Sequence, residues 1–228
     1  MKKWIIGRAQ GQALQQFRAV IFDLNGVIVD DSSFHARAWL EFCEARGMKL
    51  TEEEFAVHIM GRPNSEIFRY VFKSDLSDRE IEILAEEKEA RYRRLYEPHR
   101  SLVPGVRTLL EDLQRKQIPI ALATSSPRTN LPFILDDMDL RKFFLTLVDA
   151  EDVKKGKPDP EVYLTAAHGL GINPSECLVF EDSIFGVEAA VAAGMKVIGI
   201  STTHGAFGAM VPVAADFSEL RLLEDADT

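Results

Sequence analysis

Cysteine is scarce in this sequence: only Cys43 and Cys177 occur among 228 residues, far apart along the chain. Their spacing matches neither a CxxC pair nor a cysteine-based metal site, and so few cysteines exclude a disulfide-stapled fold. We expect two reduced, buried thiols. Long apolar runs are also missing, since none approaches the roughly 18 residues of a membrane span. The run Trp4–Ile6 is too short for a signal-peptide core. We therefore expect no membrane partner and a cytoplasmic location.

Positive charge is in deficit, because 27 Lys and Arg face 36 Asp and Glu, which gives a formal net charge of −9. Binding to nucleic acid depends mainly on neutralising phosphates with basic side chains, so this balance argues against a nucleic-acid partner. The first 18 residues depart from it, with four basic residues and no acidic one. This segment is either a targeting or anionic-surface sequence or, as we favour, a packed or frayed N-terminal extension.

Several common catalytic motifs are missing as well, namely the P-loop, the GxGxxG loop, the GxSxG elbow and the HExxH helix. The sequence instead alternates short apolar runs with segments of helical periodicity. Such continuous runs are typical of strands buried on both faces of a parallel sheet. The runs are Ala19–Phe22, Ile118–Ala123, Leu145–Val148, Leu178–Phe180 and Val197–Ile200. The alternation predicts an α/β fold with a doubly wound, Rossmann-like parallel sheet.

The stretch 30–98 breaks this alternation, because it has helical periodicity throughout. Thr51 with Glu54, and Ser77 with Glu80, have the spacing of capping boxes, which mark helix starts. A helical block of this length after the first strand indicates an insertion into the α/β domain. We predict an N-terminal extension over 1–18, a core built from 19–29 and 99–228, and a small helical cap over 30–98.

Polar side chains follow several of the predicted strands, at the sheet edge where doubly wound folds bind ligands. These residues are Asp23, Asn25, Thr124, Ser125, Ser126, Lys157, Glu181 and Asp182. Carboxylates bind Mg²⁺ through oxygen, while hydroxyls and an ammonium bind phosphate oxygens, so the set suits a phosphate with Mg²⁺. Each residue alone has an ordinary interpretation as a turn residue, a helix cap or a solvated lysine. The functional interpretation therefore rests on their occurring together.

Four segments, in order, resemble the motifs of the haloacid dehalogenase superfamily. Phe22–Asp30 resembles motif I, usually DxDGxxxD, and Leu122–Ser126 resembles motif II. Lys157-Pro158 resembles motif III, and Glu181–Ser183 resembles motif IV. Further segments at 35–39, 156–160 and 166–168 are similar to the β-phosphoglucomutase-like subgroup. One such motif is a weak signal, whereas four in register across nearly the whole chain are specific.

This resemblance implies a nucleophile and a metal site. Asp23 would attack phosphorus and form an aspartyl-phosphate. Its carboxylate would also bind Mg²⁺, together with the backbone carbonyl of Asn25 and with Asp182. Glu181 would support or join that coordination shell.

The resemblance also implies a phosphate site beside the nucleophile. Thr124 and Ser125 would hold the phosphoryl oxygens, with Ser126 next to them. Lys157 would offset the negative charge on the phosphate and the nucleophile. The predicted ligand is thus a small phosphorylated metabolite.

Asn25 departs from the motif, which normally has a second Asp that acts as general acid and then as base. An amide neither donates nor accepts that proton near neutral pH, and losing such a group typically costs about 10²–10⁴ in rate. Two accounts stay open: an engineered variant, or a natural protein with altered chemistry. Asp30, Asp31 and His35 are nearby groups that could substitute for the missing acid, an option that we do not favour.

In the predicted cap, His35 shares a helical face with Trp39, and the resemblance implies that it orients the motif I loop, although a packed histidine is an equal alternative. Lys88 lies on an apolar stripe, where it either snorkels to solvent or faces a second phosphate. Arg62 is a candidate for substrate binding, but Asn64 lies nearer the position that a strict mutase would use.

We expect Mg²⁺-dependent phosphoryl transfer through Asp23, to water in a phosphatase or back to substrate in a phosphomutase, acting on sugar-phosphate-like metabolites. The alternative is a non-catalytic binder or sensor of a phosphorylated metabolite, which Asn25 supports. A metal-independent dehalogenase and a phosphonate hydrolase with Lys88 as Schiff base are lesser alternatives. We expect the protein to be a monomer.

Overall fold

The computed structural model describes residues 3–8, 13–51, 53–54, 58–59, 64–203, 207 and 210–224. The chain divides into two compact units, one formed by Met1–Asp30 with Ser101–Thr228 and the other by Asp31–Arg100. No helix within the described ranges has both the length and the apolar composition needed to cross a membrane.

The first unit contains two sheets. The strands of the described part are β1 (Trp4–Arg8), β2 (Ala13–Phe17), β3 (Ala19–Phe22), β4 (Ile120–Ala123), β5 (Thr146–Val148), β6 (Cys177–Glu181), β7 (Lys196–Ile200), β8 (Val213–Ala214) and β9 (Leu220–Glu224). The larger sheet has the order β5-β4-β3-β6-β7-β8, and every neighbouring pair in it is parallel. The predicted parallel α/β sheet is therefore confirmed.

Six α-helices lie within the described residues. They are α1 (Ser32–Glu44), α2 (Asn64–Phe72), α3 (Asp78–Tyr96), α4 (Val106–Arg115), α5 (Glu161–Leu170) and α6 (Ile184–Ala192). Single helical turns join them at Glu97–His99, Pro132–Asp136, Arg141–Phe143, Ala150–Asp152 and Pro174–Glu176. Local sequence fixes the helix ends: Ser77 and Glu80 form the predicted capping box before α3, and Gly171 ends α5 in the left-handed conformation.

The core of the larger sheet explains its continuous apolar runs. Every residue of β3, β4 and β6 is buried, as expected for strands covered on both faces. Helices α5 and α6 supply small and aromatic side chains to one core cluster, including Tyr163, Ala166 and Val187. Cys177 lies in this cluster as a free, buried thiol.

The second unit is helical, with α3 packed against both α1 and α2. Its core is an aromatic cluster around Trp39, Phe42 and Phe68, in which the rings of Trp39 and Phe68 lie 5.0 Å apart. Cys43 is a free, buried thiol in this cluster. Both thiols are thus buried and unpaired, as predicted.

The N-terminal segment forms strands that the sequence pattern did not predict. Strand β1 pairs antiparallel with β2 on one side and with β9 on the other, so Trp4 lies opposite both Phe17 and Glu224. Trp4, Ile6 and Phe17 are buried. The extension is therefore packed rather than frayed, and it is joined to β3 by Arg18 alone.

Candidate active site

Asp23 lies at the carboxyl end of β3, where the parallel strands turn out of the sheet. Its backbone N–H donates to the Phe180 carbonyl at 3.1 Å, which continues the pairing between β3 and β6. The chain then turns at Gly26, whose φ of +74° favours glycine. A Cβ at Gly26 would lie 2.0 Å from Asp182 Oδ2, so glycine here lets the two loops approach closely.

Lys157 joins two of the carboxylates. Its ammonium donates to Asp23 Oδ1 at 2.7 Å and to Glu181 Oε1 at 2.5 Å, and the lysine is buried with both partners. This contact spans three separate segments of the sequence. Lys157 is therefore a buried ion-pair partner and not a solvated lysine of the Lys154–Pro158 run.

Glu181 is the last residue of β6, and both of its carboxylate oxygens accept hydrogen bonds. Tyr163 donates its hydroxyl to Oε1 at 2.9 Å, while the backbone N–H and hydroxyl of Ser183 donate to Oε2 at 2.8 and 3.0 Å. Ser183 also caps α6, where it accepts the N–H of Gly186. A Cβ on Gly186 would fall 1.7 Å from Glu181 Oε1, so the start of α6 packs its backbone onto this carboxylate.

Asp182 completes a group of three buried carboxylates. Ligand oxygens of Asp23, Glu181 and Asp182 all lie within 4.8 Å of one another, and Thr203 hydrogen-bonds the Asp182 side chain. Three carboxylates face one ammonium, that of Lys157. Such an excess of buried negative charge, presented on oxygen ligands, fits a hard divalent cation such as Mg²⁺.

Burial and mutual repulsion perturb these carboxyl groups. Desolvation raises the pKa of Asp23 to about 7, opposed by Lys157 and reinforced by Glu181. Desolvation, with Glu181 and Asp23, holds the pKa of Asp182 well above its usual range. Desolvation also acts on Glu181, but there Lys157 outweighs it and lowers the pKa. The carboxyl groups of Asp23 and Asp182 would therefore lose their protons when a cation binds beside them.

The motif II segment follows β4 and lies on the other side of the motif I loop. Thr124 is buried, and its Oγ1 accepts the N–H of Ser126 at 3.1 Å. Ser126 donates its hydroxyl to Asn25 Oδ1 at 2.5 Å, which fixes the amide of Asn25. Ser125, between them, is exposed. The structure thus brings the predicted hydroxyl-bearing segment to the residue that departs from motif I.

Sequence reasoning missed three residues of this site: Tyr163, Ser183 and Thr203. The spacing of Tyr163 with Ala166 and Ala167 predicts that it faces the core, and the contact of its hydroxyl with Glu181 has no local sequence signal. Ser183 belongs to the motif IV segment, but the sequence did not predict that its side chain bonds Glu181. Thr203 lies in a loop without a pattern.

In the second unit, the structure brings His35 and Lys88 together. Lys88 is 2% exposed, and its ammonium lies 2.8 Å from His35 Nδ1 and donates to Glu89 Oε1 at 2.9 Å. Because an ammonium only donates, His35 must accept at Nδ1 and carry its proton at Nε2, which lies 3.6 Å from Asp31 Oδ2. The snorkelling alternative for Lys88 is therefore wrong. Arg62 lies outside the described residues, and Asn64 begins α2.

Comparison with models of known families shows which family the chain belongs to. A family model described as haloacid dehalogenase-like hydrolase matches residues 20–200. This chain belongs to the haloacid dehalogenase-like hydrolases. The matched range contains all four predicted motifs, and it excludes β1, β2, β8 and β9.

Individual relatives show which members of this family the chain resembles. The chain is 36% identical over 178 residues to the phosphorylated carbohydrates phosphatase of Thermotoga maritima, a match that covers 78% of this chain and 82% of the relative. It is 32% identical over 199 residues to the β-phosphoglucomutase of Bacillus subtilis, covering 84% and 87%. A crystal structure of a family IA, variant 3 hydrolase from Entamoeba histolytica aligns with a TM-score of 0.75 at 36% identity, covering 82% and 85%. The predicted resemblance to β-phosphoglucomutase-like enzymes is confirmed, and the chain is an enzyme of this phosphatase and phosphomutase type.

Proposed function

We propose that the protein transfers the phosphoryl group of a small sugar-phosphate-like metabolite to Asp23 in a Mg²⁺-dependent reaction. The observation that carries this proposal is the buried contact of Lys157 with Asp23 and Glu181, beside Asp182. The names of the relatives support the substrate class, since they include a phosphatase for phosphorylated carbohydrates. Mg²⁺ would be held by Asp23, Asp182 and the Asn25 backbone carbonyl, and would supply charge stabilisation of the phosphoryl oxygens.

In the first step, the Asp23 carboxylate attacks phosphorus, so that an O–P bond forms at Asp23 while the bond from phosphorus to the leaving oxygen breaks. Lys157 holds Asp23 in place and offsets the charge that builds on the transferred group. Thr124 and Ser125 hold phosphoryl oxygens. Glu181 keeps Lys157 positioned from behind, because its own oxygens are already occupied by Lys157, Tyr163 and Ser183.

Water then attacks the aspartyl-phosphate, which releases phosphate and restores Asp23. We favour this phosphatase outcome over a mutase, because Lys88 is 2% exposed and two of its three ammonium donors already bond His35 and Glu89, which leaves at most one for a second phosphate. The same contacts speak against Lys88 as a Schiff base in a phosphonate hydrolase. The three-carboxylate cluster speaks against a metal-independent dehalogenase.

Asn25 restricts the leaving group. Since its amide provides no proton, the departing oxygen must leave as an anion or take a proton from water. Phosphates with acidic leaving groups, such as anomeric sugar phosphates, are therefore the preferred substrates within the proposed class. The monomeric state and the cytoplasmic location stay predictions.

The deciding experiment is turnover of p-nitrophenyl phosphate with and without Mg²⁺, combined with rapid quenching of the ³²P-labelled reaction of an anomeric sugar phosphate. We expect turnover that a chelator abolishes and an acid-stable label on the protein that Asp23→Asn removes. Asp112→Asn, which changes an exposed carboxylate on α4, is the matched control and should label normally. If neither this chain nor Asn25→Asp turns over or labels, the non-catalytic binder is the correct function.

A further inference from the structure

A cavity of about 320 Å³ lies at the end of the larger sheet opposite to the active site. It is formed where β3, β6 and β7 begin, since Arg18, Glu176 and Lys196 stand at or directly before the first residues of these strands. Arg18 is five residues before Asp23, so the strand rise puts the two positions roughly 16 Å apart. The cavity is thus separate from the carboxylate cluster.

The lining of this cavity is basic, although the protein as a whole has a net charge of −9. Lys3, Arg18 and Lys196 face one carboxylate, that of Glu176, which leaves a local charge of +2. The remaining lining residues are Gln16, Phe17, Asn173 and Ser175. A charge of +2 with amide and hydroxyl groups beside it complements a dianion and would repel a cation.

Two of the basic groups, those of Arg18 and Lys196, are fixed in place, and donors remain available. Arg18 donates from Nη1 to both oxygens of Glu176 at 2.9 Å, which holds its guanidinium at the cavity wall. Lys196 donates to the Gln16 carbonyl, which uses one of three ammonium protons. Asn173 accepts the N–H and hydroxyl of Ser175 at its Oδ1, which leaves the NH₂ group of the amide to donate.

From these features we infer that the cavity binds a phosphate dianion, either as inorganic phosphate or as the phosphate group of a small metabolite. Its volume is at the lower end of the range for small-molecule sites, about 300–1,000 Å³. Four of the eight lining residues belong to the N-terminal extension over 1–18, namely Lys3, Gln16, Phe17 and Arg18. All four of those residues lie before the range 20–200 that the family model matches, so the site is an addition to the family core.

The test is a titration followed by ¹⁵N NMR at constant ionic strength with a chelator, so that no turnover occurs. Inorganic phosphate and glucose 6-phosphate are the two probes, and sodium chloride is the control. We expect saturable shifts of the amides of Arg18, Ser175, Glu176 and Lys196, separate from any shifts at Asp23 or Thr124. The probe with the lower Kd identifies the source of the phosphate.

Variants connect the shifts to the cavity. Lys3→Gln, at an exposed position, should raise the Kd about tenfold, and Lys3→Gln with Lys196→Gln should raise it further. Lys142→Gln, an exposed lysine outside the cavity, should leave the Kd unchanged. Shifts that do not saturate, that chloride reproduces, or that persist unchanged in Lys3→Gln would overturn the inference. The outcome does not affect the proposal of phosphoryl transfer at Asp23, because this titration measures no turnover.

Discussion

At the scale of single residues, the amide of Asn25 determines which phosphates react quickly. Its Oδ1 accepts the Ser126 hydroxyl at 2.5 Å, so the side chain is already oriented at the end of β3. A carboxylate in the same place would accept the same bond. The substitution Asn25→Asp therefore changes the available proton with little change in the surrounding contacts.

We expect Asn25→Asp to raise kcat for alkyl sugar phosphates by about 10²–10⁴, because a general acid then protonates the leaving oxygen. For p-nitrophenyl phosphate, whose leaving group is a stable anion, the gain should be below about tenfold. The measurement is kcat against leaving-group pKa for both forms. Equal gains across the series would show that Asp at this position acts through something other than proton transfer.

Gly186 is a second residue whose small size supports the site. A Cβ there meets Glu181 Oε1 at 1.7 Å, and Glu181 cannot retreat without losing its bonds to Lys157, Tyr163 and Ser183. We expect Gly186→Ala to lower kcat roughly 10–100-fold, since displaced supporting groups typically cost that much in activity. Steady-state kinetics at several Mg²⁺ concentrations measures the effect.

The matched control is Gly169→Ala on α5, where the nearest atoms to an added Cβ belong to the side chain of Thr146, the closest at 2.5 Å. That variant changes a helical glycine in the same unit, away from the carboxylates. Its kcat should stay within about twofold of the unmodified protein. An unchanged kcat in Gly186→Ala would show that Glu181 tolerates displacement.

At the scale of secondary-structure elements, the five continuous apolar runs all became strands of the parallel sheet, because burial on both faces leaves a strong local signal. Strands β1, β2 and β9 were missed for the opposite reason. Their residues mix apolar and polar types over five positions, and their pairing joins Trp4 to Glu224. Contacts so distant in sequence leave no local pattern.

The candidate site likewise contains residues that a local pattern predicts and contacts that it does not. Asp23 and the Glu181-Asp182 pair could be expected at one edge because parallel strands end there together. The contact of Lys157 with Asp23 could not be derived from spacing, since a loop of unknown path brings the lysine in. The polar pattern put Lys157 at the same sheet edge, and resemblance to known motifs paired it with the nucleophile.

The N-terminal sheet provides a prediction at this scale. Ile6 is 1% exposed in β1, whereas Ile5 on the opposite face is half-buried. We expect Ile6→Ala to lower the free energy of unfolding by about 2–4 kcal/mol and Ile5→Ala by clearly less. Urea unfolding measures both. Equal, small losses would mean that β1 contributes little to the stability of the folded chain.

At the scale of the whole molecule, the buried carboxylates make stability depend on pH and on Mg²⁺. In a metal-free protein, the pKa of Asp23 is raised to about 7 by burial, against 3.8 in an unfolded chain. Between these values the native state retains a proton that the unfolded state has lost, so stability falls as pH rises. The fall extends from about pH 4 to about pH 7, the window between the two pKa values.

We expect the free energy of unfolding with chelator to drop by about 2–3 kcal/mol from pH 5 to pH 7.5, and Mg²⁺ to reduce the drop by favouring the ionised carboxylates. Asp23→Asn should reduce the dependence to the part that Asp182, whose pKa is also raised, contributes, and this change separates Asp23 from the histidines. The measurement is urea unfolding at both pH values. A slope that Asp23→Asn leaves unchanged would assign the dependence to other groups.

The pairing of β1 with β9 also has a consequence for how the chain folds during synthesis. Strand β1 leaves the ribosome before both of its partners, and one of them follows about 210 residues later, which takes roughly 10–40 s at 5–20 residues per second. Until then, one edge of β1 is open to pairing with another chain. Release of a chain that stops before Leu220 would leave that edge exposed, so truncated chains are the form of this protein most prone to associate.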